Sequence, residues 1–277
     1  MSFSINTNLS AMVALQSLTD TTAELQATQK RIATGYRVAD AKDDGAAYAV
    51  AERIRGDIVA NQSANQQLGA ASGLLKVTST AMQNVSDRLQ QLQGITVKLA
   101  DGTLTTAQRT QYQAQVKELT NAMYSFIKDA TYNGNNILND PASTLVSVVN
   151  DGSGAYYTFN GYMAVTNIYD AVSGANAWTA GDAAAALTTT GVLRTTIDAT
   201  LTEMNKFGSY ANYVDAQITY NNAVVDAQTA GLGALVDADM AKESAKLQAM
   251  QIRQQLGTQA LGIANQSPQV LLSLFRG

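Results

Sequence analysis

The sequence predicts a mainly α protein: an elongated antiparallel helical-bundle rod with coiled-coil terminal helices and a small β-hairpin unit. One observation behind this is a seam at alternating three- and four-residue spacing: Leu68, Ala71, Leu75, Thr78, Met82, Val85, Leu89, Leu92, Thr96 and Leu99, with eight of ten positions apolar. A 3.5-residue period lines one face of a coiled-coil-like helix of roughly 48 Å at about 1.5 Å per residue, and such a helix needs partners along its length. The same register returns at Tyr112, Val116, Leu119, Met123, Phe126 and Ala130, and again at Met204, Phe207, Ala211, Val214, Ile218, Asn221 and Val225. Thinner stripes run along both ends, at Ala11, Leu15, Leu18, Thr22, Leu25, Gln29 and Ile32 and at Leu247, Met250, Gln254, Gly257, Leu261 and Ala264. Composition agrees: of 277 residues 14% are charged and 6% aromatic, which suits long packed helices better than a thick globular core.

The elements follow in order. Residues 6–33 read as a helix, and the two glycines bracketing 35–45 make a bend. A second helix is expected over 46–100, stopped by Asp101-Gly102. Thr105 with Gln108 three residues on is a capping box opening a third helix, which runs to about residue 130 and is ended by Asn133-Gly134. Strands are expected at 145–149, 155–159 and 162–168, the first two joined by a turn from Asn150 to Gly154. Residues 170–190 are rich in Ala, Gly, Thr and Ser with Trp178 alone as a bulky group, so they read as an exposed loop in which deletion of 172–182 is tolerated. Helix resumes over 191–231, breaks at Gly231-Leu232-Gly233, and closes over 237–264. Three parts result: 1–40, an N-terminal helix and linker; 41–235, a rod domain with the β unit and loop at about 141–190; and 236–277, a C-terminal helix. The thin terminal stripes bury too little to offset ordering, so 1–40 and 234–277 are expected to order on assembly.

Composition also excludes chemistry. The chain has no histidine and no cysteine, which removes Ser-His and Cys-His nucleophiles, imidazole or thiolate metal sites, and thiol redox chemistry. No cofactor site is read, and the chain is not expected to be an enzyme. Asp43 with Asp44 and Asp237 with Asp239 each precede a helix and read as caps rather than catalytic or calcium-binding pairs. A net charge of −4 argues against a nucleic-acid partner. The basic residues Arg31, Arg37, Lys42, Arg53 and Arg55 interleave with acids, as in an ion-pair face. No segment approaches the roughly 20 apolar residues of a membrane span, and the first ten residues lack the pattern of a secretory signal.

Four stretches resemble a known family. Ser4 to Asn8, Ile32 to Gly56 (IATGYRVADAKDDGAAYAVAERIRG), Thr131-Tyr132-Asn133-Gly134, and the run VDADMAKESAKLQAMQIRQQLG with ANQSPQVLLSLF after it are similar to bacterial flagellins. The resemblance covers nearly the whole chain outside about 141–190. It implies a structural subunit that polymerises into the flagellar filament for motility, in an extracellular location reached unfolded through the flagellar type III export apparatus. Implied partners are further copies of itself, sister flagellins, an export chaperone, the filament cap and hook-filament junction proteins. The terminal helices would form an inner tube, with contacts at Ile5, Leu9, Leu15, Leu18, Leu25, Ile32, Leu247, Met250, Leu261, Leu271 and Leu274.

The resemblance has three finer implications. Where stimulatory flagellins carry an arginine-rich and acidic stretch read by a vertebrate immune receptor, this chain has Gln91, Gln93 and Gly94, with Gln115 on the third helix, so silence toward that receptor is expected. Ser173, Thr179 and Thr188 are either O-linked sugar acceptors, as in some relatives, or plain polar loop residues. The turn at 150–154 is comparable to a hairpin implicated in switching subunits between packing states. Two alternatives remain beside the filament subunit: a hook-filament junction protein, and a glycan-binding surface protein using Trp178 with Tyr156 or Tyr157.

Overall fold

The computed structural model describes residues 8–139 and 145–274, with side chains of the last helix through Gln266. Nine helical segments and one two-stranded sheet are seen among the described residues. The long helices are α1 (Leu9–Thr34), α2 (Gly45–Leu99), α3 (Thr106–Asp129), α6 (Val192–Val236) and α7 (Met240–Leu274). Strands β1 (Leu145–Val149) and β2 (Tyr156–Asn160) pair antiparallel, Leu145 opposite Asn160 and Val149 opposite Tyr156. The chain divides into two compact units: a central one, Asp57–Asp226, and a terminal one, Met1–Gly56 with Ala227–Gly277. Both boundaries fall inside helices, α2 and α6.

In the central unit all ten seam positions of α2 are buried. The two threonines are tolerated because Thr78 and Thr96 each donate their hydroxyl to the carbonyl four residues back, Leu74 and Leu92, at 2.8 Å, and present only methyl groups to the core. Val116, Met123 and Ala130 of the second stripe and Phe207, Val214 and Asn221 of the third are buried with them. The expected capping box opens α3, with Gln108 Oε1 accepting from Thr105 N–H at 3.0 Å. Arg109 then closes α2 by donating to the carbonyls of Leu99 and Asp101. Asn136 donates to the carbonyls of Ile127 and Lys128 and so ends α3.

Two expectations for the middle of the chain are corrected. No third strand forms at 162–168: Tyr162 and Ala164 donate backbone hydrogen bonds to the carbonyls of Ile137 and Leu138, and a π-helical turn (Val165–Tyr169) follows. The segment 170–190 is not a loop. It folds as α4 (Asp170–Ser173), a 3₁₀ turn (Gly174–Ala177) and α5 (Ala180–Ala186). Ile168, Val172, Ala175, Ala183 and Ala186 are buried in the same core as the α2 seam. Residues 165–177 pack on α3 and Ala183 and Ala186 of α5 join the same core, and the lack of bulk hid this face in the sequence.

The terminal unit contains a second, small core of Val38, Ala51 and Val236, flanked by Ala47, Tyr48, Leu232 and Leu235. It explains why the expected break at 231–233 is absent: α6 runs on to Val236 because Leu232 and Leu235 pack into this cluster, outweighing the roughly 1 kcal/mol penalty of each helical glycine. Gly35, in the left-handed region at φ 74, ends α1, and Tyr36 pairs with Asp237 across an isolated bridge. The last helix accordingly starts later than expected, at Met240, and runs past residue 264 to Leu274. Asp44 and Asp239 cap as expected: Asp44 accepts from the N–H groups of Ala46 and Ala47, Asp239 from those of Ala241 and Lys242. Asp43 instead latches the bend, accepting from Lys30 Nζ at 2.9 Å and from Ala39 N–H.

Candidate assembly interface

Helices α1 and α7 lie antiparallel. Asn8, the N-cap of α1, accepts from Ala11 N–H at 3.0 Å and donates to the carbonyl of Ala264 at 2.8 Å. At the other end Arg31 Nη1 is 3.4 Å from Glu243 Oε1, in a partly buried pair. Between these ties the α7 stripe faces inward as read from the sequence: Met250 is buried, and Leu247, Gln254, Gly257, Leu261 and Ala264 are half-buried. Gly257 leaves room for Leu18, whose Cδ1 would lie 3.2 Å from a Cβ there.

The α1 stripe is shifted. Leu18, Leu25 and Ile32 face inward, but Ala14 and Thr28 take the inward positions assigned to Leu15 and Gln29. Leu15 is 54% exposed and Leu9 73% exposed. The seven-residue spacing of Leu18, Leu25 and Ile32 fits two heptad phases, one through Leu15 and Gln29 and one through Ala14 and Thr28, and packing on α7 selects the second. Ile5 lies outside the described residues, and so do the side chains of Leu271 and Leu274.

The pair is therefore two-faced. Leu9, Met12, Val13 and Leu15 of α1, and Ile252, Leu256 and Ile263 of α7, are apolar and exposed. These large apolar side chains make the pair a candidate association surface. On the inner face the Thr28 hydroxyl and Glu243 Oε2 are buried without a hydrogen-bond partner, which makes this a sparse core.

Residues 5–143 match the bacterial flagellin N-terminal helical region, and residues 194–275 match the bacterial flagellin C-terminal helical region. Flagellin FljK of Caulobacter vibrioides is 35% identical over 274 residues, which cover 99% of this chain and 98% of that protein. The chain belongs to the bacterial flagellin family. Flagellin FljM of the same organism is 33% identical over 273 residues, and flagellin FlaB1 of Treponema pallidum 28% identical over 134, about half of each chain. The crystal structure of Bacillus cereus flagellin shares the fold, with a TM-score of 0.50 at 18% identity over 56% of this chain and 88% of that one. This flagellin is a structural subunit that polymerises with copies of itself into the flagellar filament, the basis of motility. No described helix is long and apolar enough to cross a membrane.

Within the central unit of the flagellin, Gln91, Gly94 and Gln115 come together, lining an open groove of about 650 Å³ between α2 and α3 with Ile95, Lys98 and Glu118. Gln93 is half-buried and does not line it. The sequence reading passed over Arg88, which donates to Gln91 Oε1 at 2.8 Å and lies over the Phe126 ring at 5.9 Å. Its only sequence signal is a basic residue three positions before Gln91, one helical turn away on the same face.

All three hydroxyls proposed as sugar acceptors are engaged. Ser173 donates to the carbonyl of Asp170, Thr188 to that of Ala185, and Thr179 caps α5 while donating to Asp182 at 2.7 Å. Trp178 is half-buried against the central core and its carbonyl accepts from Gln113, so it is not a free stacking platform. Tyr157 is turned onto Tyr213 of α6, and Tyr156 points outward.

Proposed function

We propose that filament assembly runs through the paired terminal helices, which form an inner tube, while the central unit supplies the filament's outer bulk. The observation that supports this reading is the two-faced α1–α7 pair, held to itself by a sparse stripe and carrying exposed Leu9, Leu15, Leu256 and Ile263. The proposed inner-tube contacts are these, together with Ile5, Leu271 and Leu274. Leu18, Leu25, Ile32, Leu247, Met250 and Leu261 hold the pair. Export of the unfolded chain through the flagellar type III apparatus with a chaperone, and growth beneath a cap from hook-filament junction proteins, follow as proposals from family membership. We assign no catalytic role. The chain has neither histidine nor cysteine, and Asp44 and Asp239 are occupied as helix caps. Truncation of residues 236–277 tests the assembly reading. The expected product is a helical monomer that forms no filaments by electron microscopy, and normal filaments would overturn it.

A second reading rests on the α2–α3 groove. Gln91, Gly94 and Gln115 share one surface, and neutral amides cannot present the fork of donors of an arginine, so we propose that the chain is silent toward the vertebrate flagellin receptor. A cell reporter assay with depolymerised protein should give little response, and Gln91→Arg should restore part of it. A response equal to that of a stimulatory flagellin would refute the reading. For O-linked sugars, Ser173 and Thr188 are proposed ahead of Thr179, whose modification would uncap α5; peptide mass mapping of filament protein checks the order.

A further inference from the structure

The filament role leaves unused an aromatic cluster that joins the β hairpin to α6 in the central unit. Tyr157 and Phe159 of β2 meet Tyr210 and Tyr213 of α6, and most of these contacts are tilted or edge-on, with ring centroids 5.6 to 6.4 Å apart. One differs. Tyr157 lies on Tyr213 with centroids 3.9 Å apart and 25° between the ring planes, which puts atoms of two phenol rings in van der Waals contact.

We propose that Tyr157 and Tyr213 form a site of oxidative tyrosine cross-linking, joined ring to ring when the chain meets a peroxide-driven one-electron oxidant. Tyr213 is 39% exposed and reachable by such an oxidant. Its hydroxyl donates to Asn150 Oδ1 at 3.3 Å, so an acceptor already stands beside the proton that must leave with the electron. Burial, with Tyr210 and Tyr213 nearby, holds the Tyr157 phenol above its usual pKa and keeps it protonated until it is oxidised. A second tyrosine pair, Tyr124 with Tyr169, is less suited. Its rings are 4.8 Å apart at 44°, and the Lys128 ammonium sits 5.2 Å from the Tyr124 ring, where a cation opposes removal of an electron.

The chemistry balances with hydrogen peroxide as the terminal oxidant. Each phenol gives up one electron and its hydroxyl proton, and the two radicals join through one carbon–carbon bond between the positions ortho to oxygen. Those two carbons then lose their hydrogens as the rings regain aromaticity and the oxygens their protons. The net change is two hydrogens lost from the chain, while one peroxide is reduced to two waters. The bond would fix the hairpin to α6 in a protein with no cysteine and hence no disulfide.

The test uses dilute, depolymerised full-length protein treated with a haem peroxidase and hydrogen peroxide, followed by peptide mapping and dityrosine fluorescence. The expected product is an intrachain link between the peptides holding Tyr157 and Tyr213, two hydrogens lighter than their sum. Tyr157→Phe and Tyr213→Phe should each abolish it, and Tyr210→Phe should retain it. Unchanged circular dichroism will show that the Phe variants keep the fold, since Phe preserves the ring. Links found only between chains through the exposed Tyr156 or Tyr220, links between Tyr124 and Tyr169 in preference, or no tyrosine link at all would each overturn the proposal.

Discussion

The seam of α2 in the central unit and the stripe of α1 in the terminal unit are written in the same alternating spacing, yet they end differently. All ten positions of the first are buried, whereas of the seven in the second only Leu25 is buried and Leu15 and Gln29 stand exposed. The central seam is covered by α3, α6 and the segment 165–187 within one chain. The stripe of α1 has α7 on one side, and its other apolar residues face outward. What differs is the number of partners the chain itself supplies, and under the assembly reading proposed above the missing ones are other copies.

The largest expected effect bears on the central side of that comparison. Deleting 172–182 removes buried Val172 and Ala175 and the cap of α5, so it should destabilise the monomer by more than a single core Leu→Ala change, visible as a lowered melting temperature in calorimetry. An unchanged melt would restore the reading of this segment as a loop. Next, Leu92→Ala should cost about 2–5 kcal/mol in denaturant unfolding, while Leu15→Ala should stay within roughly 0.5 kcal/mol and instead raise the critical concentration for polymerisation several-fold. Equal monomer costs for the two would erase the distinction drawn here.

A smaller effect is expected at Gly73, where an added Cβ would stand 2.7 Å from the Tyr132 ring. Gly73→Ala should cost about 1–3 kcal/mol by pushing that ring off α2, and combining it with Tyr132→Ala should recover much of the loss.

The smallest effect concerns the bend of the terminal unit. Lys30 beside Asp43, together with the Ala39 N–H, holds that carboxyl below the usual carboxylate range. A depressed folded pKa means the contribution is complete above the ordinary carboxylate value and is lost as pH falls through the depressed one. The protection of the amides of residues 36–44, taken as the exchange rate relative to the intrinsic rate at each pH, should therefore fall on acidification, and Asp43→Asn should show the lowered protection at neutral pH as well.

The long helices, the capping box at Thr105 and the acidic caps at Asp44 and Asp239 were legible because each rests on local chemistry or on a repeat sustained over many turns. The helical nature of 165–186 was not. Alanine and glycine carry little hydrophobic contrast, and only docking on the central core tells Ala175 and Ala183 from the exposed Ala177 and Ala185. The groove that gathers Gln91, Gly94 and Gln115 was read residue by residue, but the nearby Arg88 was not, since its contact with Gln91 and Phe126 depends on how α2 and α3 lie together.

By itself the sequence determined the five long helices, where most of them start and stop, and that the chain lacks the histidine and cysteine on which much catalysis rests. Those are properties of neighbouring residues along the chain. The tertiary structure alone decided whether Gly231 to Gly233 ends a helix, whether Leu15 or Ala14 faces α7, and where Tyr157 meets Tyr213. Each of these depends on a surface supplied by residues far away in sequence, and burial against that surface outweighs the local preference.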